Sequence, residues 1–261
     1  MYTASTSPQP LNVVSTEKLA RFGTMYEDEI GRVFRYCRNG ATALTGGQIC
    51  QMAATQASSW ARTTATTKTV AIDVSKDGGP AIGISMGTAP TENQWADGLA
   101  VFGTVSGGTA QSGIIAGHTN GSTAAEFLLE RSTPRGNTLH AIGSLRSGVV
   151  VSPYNGVVVA ATDLTTPPVC VTQFAVPANS YFWGLVRGVG ACTTSGTVVA
   201  GDMVMCSSST AGACTPYILT VPSGTDAAGG TLTPGQQFPI GWAINPASTY
   251  SNMCSVIFNL P

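Results

Sequence analysis

The chain has 261 residues, of which 10% are charged, and its formal net charge is −1. An ordinary soluble domain carries about 25% charged residues, and a net charge near zero promotes association. We therefore expect copies of the same chain, or a large partner, to cover much of the surface. A nucleic-acid-binding protein is disfavoured, because no cluster of Lys and Arg supplies the basic patch that such proteins use.

The first 24 residues are predicted to form an extended N-terminal arm. Residues 3–10 are polar and interrupted by prolines, so they do not resemble a signal peptide and we expect no secretion by that route. One short helix is predicted over 15–22, with Ser15 as its cap and Gly23 as its stop. The alternative for the arm is a disordered tail. The apolar side chains that we expect to grip a partner are Leu11, Val13 and Val14.

The rest of the chain is predicted to be all-β, a sandwich or barrel of short antiparallel strands with few short helices. Apolar and polar residues alternate with period two in several runs, and turn-forming residues separate them. Such spacing is typical of sandwiches and barrels. The domain prediction is two β regions, 25–165 and 166–261, or one continuous domain. The alternating runs are 33–38, 70–74, 99–105, 156–160, 169–176, 181–187, 238–244 and 253–260, and the further short helices are predicted over 53–61 and 123–130.

Three arginines, Arg32, Arg35 and Arg38, recur at every third position. We expect this stripe to support the arm at a contact with another subunit, although a simple solvated face is an equally good interpretation. Tryptophans in a nearly neutral β protein anchor cores or subunit contacts more often than they stack on sugars or bases. Trp95 is our candidate for a subunit contact.

The seven cysteines follow no tight framework spacing, and they are mostly flanked by apolar residues. We expect reduced, structural thiols and assembly in a reducing cytoplasm. No C-x-x-C pair occurs, and both histidines are far from any cysteine in sequence, so we expect no metal and no cofactor. No uninterrupted run of about 18 apolar residues predicts a membrane span.

A hydrolase-like motif runs from Gly83 to Gly87, and Asp97 and His118 follow it in the order of an α/β-hydrolase triad. The motif functions where a strand, a sharp turn and a helix follow one another. Here Pro90 follows shortly after the motif and no alternating βα pattern surrounds it, so the sequence does not predict that context. We therefore do not expect this chain to be an enzyme. We expect His118 to be a hydrogen-bonding residue at the end of a strand. A sugar-cleaving carboxylate pair stays open as an alternative. Its candidates are Glu92, Asp97 and Asp163.

Several segments, in this order, resemble a group of capsid-associated virion structural proteins of tailed bacteriophages. The resemblance spans about residues 25–260, and it depends on the order of the segments rather than on one motif. The segments are YEDEIGRVFRY at 26–36 with NG at 39–40, NQWADG at 93–98, IAGHT at 115–119, PYNGVVV at 153–159, ANSYFW at 178–183, AGD at 200–202, IGWA at 240–243 and VIFNL at 256–260.

This resemblance implies a mostly β protein that decorates or cements a capsid by binding between subunits of the major capsid protein. It implies folding in the host cytoplasm and a place on the outer surface of the virion, and no catalytic residues carry over. A homotrimer would suit the three-fold positions of a closed shell. The alternatives are a tail or vertex protein that binds host surface glycans and, less favoured, a polysaccharide depolymerase.

Overall fold

The computed structural model describes residues 8–53, 81–85, 93, 95–104, 111–118, 124–130, 145–164, 166–217, 239–246 and 253–260. These residues contain strands, turns and irregular segments, and none of them is helical. The predicted all-β fold is confirmed. The chain divides into two compact units: unit 1 comprises residues 1–54 and 153–261, and unit 2 comprises residues 55–152.

Unit 1 contains ten of the described strands, and unit 2 contains five. The strands of unit 1 are β1 (Met25–Glu27), β2 (Val33–Asn39), β3 (Ile49–Gln51), β9 (Asn155–Val159), β10 (Pro168–Val171), β11 (Tyr181–Thr193), β12 (Met203–Cys206), β13 (Cys214–Pro216), β14 (Pro239–Ala243) and β15 (Met253–Asn259). The strands of unit 2 are β4 (Ala81–Ser85), β5 (Leu99–Thr104), β6 (Gln111–His118), β7 (Ala124–Leu129) and β8 (Leu145–Val150).

Five strands of unit 1 close into a barrel-like ring. Following the pairings, the order is β2, β9, β3, β10, β11 and back to β2. The β2–β9 pair is parallel and the other four pairs are antiparallel. Closure removes two sheet edges that would otherwise expose unpaired backbone groups.

Strand β11 belongs to this ring and also pairs with β15, through which the sheet continues. It has 13 residues; its first half pairs with β2 and its second half pairs with β15. The change of partner occurs at Arg187, beside an irregularity in the β2 register. Gly188 adopts a φ of 99°, a value that residues with a Cβ rarely tolerate, and so allows the strand to bend there.

Beyond β11 the sheet continues through β15, β14 and β12 to β13. A parallel bridge between Thr194 and Cys214 returns from β13 to the end of β11. The buried sides of these strands extend the same hydrophobic core that fills the ring. The largest fully buried side chains of this core include Trp183, Tyr36, Phe182 and Phe258.

In unit 2, five antiparallel strands form one sheet in the order β4, β7, β6, β5 and β8. The side chains of Ile115, Phe127 and Leu129 are buried on one face, and those of Ile114 and Leu128 are exposed on the other. This alternation is the period-two pattern of a half-buried sheet.

Two of the three predicted helices are wrong. Residues 15–22 are irregular, because Ser15 pairs with the backbone of Tyr181 and the Leu19 N–H donates to the Tyr36 hydroxyl, so these groups bind the body of unit 1. Residues 124–129 form β7, whose two neighbours satisfy its backbone. Most of the third prediction, over 53–61, lies outside the described residues, as does the alternating run at 70–74.

The division into units also differs from the two predicted β regions. The predicted boundary at 165 falls between β9 and β10, and both of these strands pair with β3 in the ring of unit 1. Unit 2 is instead a continuous insertion between β3 and β9. The ring is therefore built from chain segments that precede and follow the insertion.

Candidate interaction surface

The N-terminal arm, in its described part, is packed against unit 1 of its own chain. Gln9 is buried, and its side-chain amide donates to the carbonyls of Val13 and Tyr181. The Trp183 indole N–H donates to the Gln9 carbonyl over 3.0 Å, and the Tyr36 hydroxyl donates to the Gln9 side-chain oxygen over 3.3 Å. Gln9 thereby supplies polar partners to two aromatic residues of the core.

Two of the three apolar residues that were predicted to contact a partner are partly buried against their own unit. Leu11 and Val14 pack against the hydrophobic core of unit 1, whereas Val13 is exposed. The described residues of the arm form turns, bends and one bridge, between Ser15 and Tyr181, and they cover β2 and β11 rather than projecting from the body. Val13 is the one of the three that offers its side chain to a partner.

The three arginines do not form a stripe. Arg38 lies opposite Tyr181 and Arg35 lies opposite Gly184, and because side chains alternate along a strand, residues three apart point to opposite faces of β2. The Arg35 guanidinium donates to the Gly23 carbonyl over 2.8 Å and lies over the Tyr154 ring. Arg38 lies over the Tyr181 ring. Both cations are therefore engaged within unit 1.

Arg32 precedes β2 and forms an ion pair with Asp28, with 2.7 Å between Nε and the carboxylate. The other Asp28 oxygen accepts the backbone N–H groups of Ile30 and Arg32 at 3.1 and 2.8 Å. Burial alone raises the pKa of the Asp28 carboxyl, but the hydrogen bonds and charge of Arg32 outweigh it and hold this pKa below its usual value. The charged carboxylate thus stabilises the turn between β1 and β2.

This turn should lose stability in acid. A pKa that is lower in the folded state stabilises the fold above the unfolded value, about 3.9, and this contribution disappears as the pH falls through the folded value. In Asp28→Asn the acceptor for both backbone N–H groups can remain while the charge is lost. We expect a loss of about 0.2–1 kcal/mol at pH 7 and a flatter decline in unfolding free energy below about pH 4.

Urea unfolding of wild type and Asp28→Asn between pH 7 and 2.5 measures this difference. Glu29→Gln is the control, because it removes a neighbouring exposed charge that lies outside these hydrogen bonds. Equal acid sensitivity of wild type and Asp28→Asn would contradict the assignment.

Trp95, predicted to make a subunit contact, is buried within unit 2, where it is 3% exposed. It lies in the turn before β5, and its backbone N–H donates to Nε2 of His118 over 3.0 Å. The prediction that His118 ends a strand and serves as a hydrogen-bonding residue is confirmed. In this conformation the Trp95 ring offers almost no surface to another subunit.

The hydrolase-like motif does not form a triad in this sheet. Ser85 lies opposite Ala124, whereas His118 lies opposite Phe127 on the same strand β7. The two positions are three residues apart, about 10 Å along the strand, and two strands apart across the sheet. At that separation the backbone positions of Ser85 and His118 are too far apart for a nucleophile and its base. Asp97 lies in the turn of unit 2 and Asp163 lies in unit 1, while Glu92 is outside the described residues.

Sequence reasoning missed an exposed apolar row in unit 1. Val189 on β11 lies directly opposite Ile257 on β15, and Ile257 lies directly opposite Trp242 on β14. These side chains are 45%, 45% and 47% exposed. Ile244, two residues beyond Trp242, is also exposed. We call these four residues the apolar face.

The apolar face itself contains no charged residue. Strands β12, β14 and β15 contain no charged residue, and in β11 the one charged residue is Arg187, at the edge of the row. The opposite side of the same strands is buried in the core, where Cys192, Val256 and Phe258 are less than 2% exposed. Single exposed apolar residues are ordinary, but an uncharged row across three strands is typical of a contact surface.

The described residues contain no cluster of three or more His, Cys, Asp or Glu arranged to hold a metal ion. Among them there is also no helix with the length and apolar character of a membrane span. Comparison of the chain with protein-family models, with curated proteins and with solved structures gives no match.

Proposed function

We propose that this chain is a structural virion protein of a tailed bacteriophage, which decorates and stabilises the capsid after folding in the host cytoplasm. The observation that carries the proposal is the apolar face in a chain with 10% charged residues. Such a surface is poorly suited to a free monomer and well suited to a particle made of many copies. The resemblance of segments between residues 25 and 260 to phage virion proteins supports the same assignment.

The occupant of the apolar face is a second copy of the same chain. Whatever covers the face must itself be uncharged at the contact, because burying an unpaired charge against apolar side chains is costly. The chain supplies such surface: after Asp202 its sequence contains one further charged residue, Asp226. A closed homotrimer, each subunit giving its apolar face to a neighbour, matches three-fold positions on a shell.

The capsid would be stabilised by the sum of many identical contacts, one set for each bound copy of the chain. Each contact contributes about 25 cal/mol per Å² of apolar surface removed from water. A trimer bound to several subunits of the major capsid protein gains avidity, because the second and third attachments are intramolecular. Neither step requires catalysis or a cofactor.

The test of self-association is Ile257→Lys, which places a charge in the centre of the apolar face. We expect wild type to sediment as a discrete homo-oligomer, and the variant to associate about a hundredfold more weakly, since burying an unpaired charge costs about 3 kcal/mol or more. Ile30→Lys is the matched control, because Ile30 is 76% exposed in the β1–β2 turn and lies outside the face.

Sedimentation velocity over a range of concentrations gives the result. If wild type stays monomeric at high micromolar concentration, or if Ile257→Lys and Ile30→Lys behave alike, the apolar face is not a subunit contact. Cosedimentation of the oligomer with capsids that lack the protein then tests decoration itself. An oligomer that leaves such capsids unbound would contradict the capsid role while leaving the self-contact intact.

A second candidate function is binding of host surface glycans by a tail or vertex protein. The observation that favours it is Trp242, whose ring is exposed while Trp95 and Trp183 are buried. Exposed tryptophans can stack on sugars. Glycan binding that Trp242→Ala abolishes, in a protein found in only a few copies per particle, would favour this function over decoration.

A further inference from the structure

Six of the seven cysteines occupy paired positions in the sheet of unit 1. Cys50 lies directly opposite Cys170, Cys192 opposite Cys254, and Cys206 opposite Cys214. Residues directly opposite on antiparallel strands have Cα atoms about 4.5–5.5 Å apart. A disulfide requires about 4.4–6.8 Å. The backbone therefore already brings each of these pairs within disulfide distance.

The side chains gather the thiols further, into two clusters. In the first, inside the five-stranded ring, the sulfur of Cys37 lies 3.9 Å from that of Cys170, with Cys50 opposite Cys170. In the second, the sulfur of Cys214 lies 3.9 Å from that of Cys254, with Cys192 opposite Cys254. We call them the ring cluster and the extension cluster.

Room for the ring cluster depends on a glycine. A Cβ at Gly184 would lie 2.6 Å from both Cβ and Sγ of Cys170 and 3.3 Å from Sγ of Cys37. The absence of a side chain there allows the three thiols to occupy the interior of the ring. The 3.9 Å contacts join Cys37 to Cys170 and Cys214 to Cys254. The pairs whose backbones lie directly opposite each other, and whose Cα separation therefore suits a disulfide, are Cys50–Cys170 and Cys192–Cys254.

We propose that each cluster forms one internal disulfide when the protein meets a low-molecular-weight disulfide such as oxidised glutathione. The pairs are Cys50–Cys170 and Cys192–Cys254. In each exchange a thiolate attacks the reagent, releases one glutathione and forms a mixed disulfide; the second cysteine then displaces the other glutathione. Two protein thiols are oxidised, and one disulfide is reduced to two thiols, for each bond formed.

The structure describes the reduced form, in which all seven cysteines are free. The hydrogen bond with Cys170, and burial, raise the pKa of the Cys50 thiol, and the hydrogen bond with Cys214, and burial, raise the pKa of Cys254. Hydrogen bonds with Cys37 and Cys50 lower the pKa of Cys170 to about 5. Because the four cysteines of the proposed bonds are buried, the reagent reaches them only when the fold opens locally, so exchange is slow in the closed fold and accelerates with local opening. The protein thus stays reduced in a cytoplasm and oxidises slowly after release.

The two bonds would act on different parts of unit 1. The chain between Cys50 and Cys170 contains the whole of unit 2, so this bond closes a long loop and restricts the unfolded chain strongly. The bond between Cys192 and Cys254 ties β11 to β15, two of the strands that carry the apolar face. Oxidation should therefore raise the thermal unfolding temperature and rigidify the proposed contact surface.

The experiment uses the reduced, full-length protein in glutathione buffers of increasing oxidised fraction. Samples are quenched in acid, alkylated under denaturing conditions, and analysed by intact mass and peptide mapping. We expect the fully oxidised sample to carry three alkylated cysteines, to link the peptides of Cys50 with Cys170 and of Cys192 with Cys254, and to unfold at a higher temperature than the reduced sample.

Three variants sharpen the result. Cys170→Ala and Cys254→Ala should each abolish the bond of their own cluster and leave the other, and Cys206→Ala should leave both bonds. If a variant fails to fold, the disulfide links found by peptide mapping of the wild-type protein still decide between the pairings. Seven alkylated cysteines in the most oxidising buffer, glutathione attached at Cys206 alone, or a principal link between Cys206 and Cys214 would each overturn the proposal.

Discussion

Trp183→Ala is expected to lower the free energy of unfolding of unit 1 by about 3–5 kcal/mol. The ring is 1% exposed, lies 5.1 Å from the Tyr36 ring in an edge-on arrangement, and also contacts Tyr26. Its removal leaves a large cavity, and the Gln9 carbonyl loses the indole N–H. The arm and the core should therefore weaken together.

Urea unfolding followed by circular dichroism measures the loss, since the substitution removes an intrinsic fluorophore. Trp183→Phe is the control, because it keeps much of the packing and loses the hydrogen bond to Gln9, at an expected cost of about 0.5–1.5 kcal/mol from the bond. If alanine cost no more than phenylalanine, the described packing around Trp183 would be contradicted.

Gly241→Ala is expected to break the pairing of β14 with β15. A Cβ at this position would lie 2.0 Å from the carbonyl oxygen of Ile257 and 2.9 Å from its carbonyl carbon. Both are backbone atoms, so relief requires the strands to separate, and we expect a cost at or above the upper end of the usual 1–3 kcal/mol for overpacking. Trp242 would move away from Ile257, and the apolar face would be lost.

Hydrogen exchange measured by mass spectrometry locates this effect. The β14 and β15 peptides should exchange faster in Gly241→Ala, and those of β2 should change little. Gly196→Ala is the control: it has a φ of 80° and no atom within 4 Å of the added Cβ, so it reports the backbone cost alone. Unchanged protection of β14 and β15 would show that the two strands are not paired as described.

The strands were predictable because their signal is local. Strands are present at the predicted runs 33–38, 181–187 and 253–260. The alternation recurs as exposed and buried positions along β15, whereas β2 and the first half of β11 are buried at most positions. The wrong helix at 123–130 had the same signal, since Leu128 is exposed between buried Phe127 and Leu129. The local sequence did not distinguish helix from strand there, and pairing of β7 with β4 and β6 decided the structure.

The candidate surface was harder to predict because it depends on register. A spacing of three cannot place Arg35 and Arg38 on one face of a strand, so the predicted stripe required a helix or a turn that the sequence did not show. Val189, Trp242 and Ile257 come from three separate segments, and only the pairing of β11, β15 and β14 brings them together. Alternation indicated which residues share a face of a strand, but it did not indicate which face another strand or subunit covers.

The most direct test of the proposed function is the copy number of this chain in purified virions, relative to the major capsid protein, by quantitative mass spectrometry. We expect the two proteins in a fixed ratio of small integers, as decoration of the whole capsid lattice requires. A few copies per particle would place the chain at the tail or vertices, and its absence from virions would contradict a structural virion role.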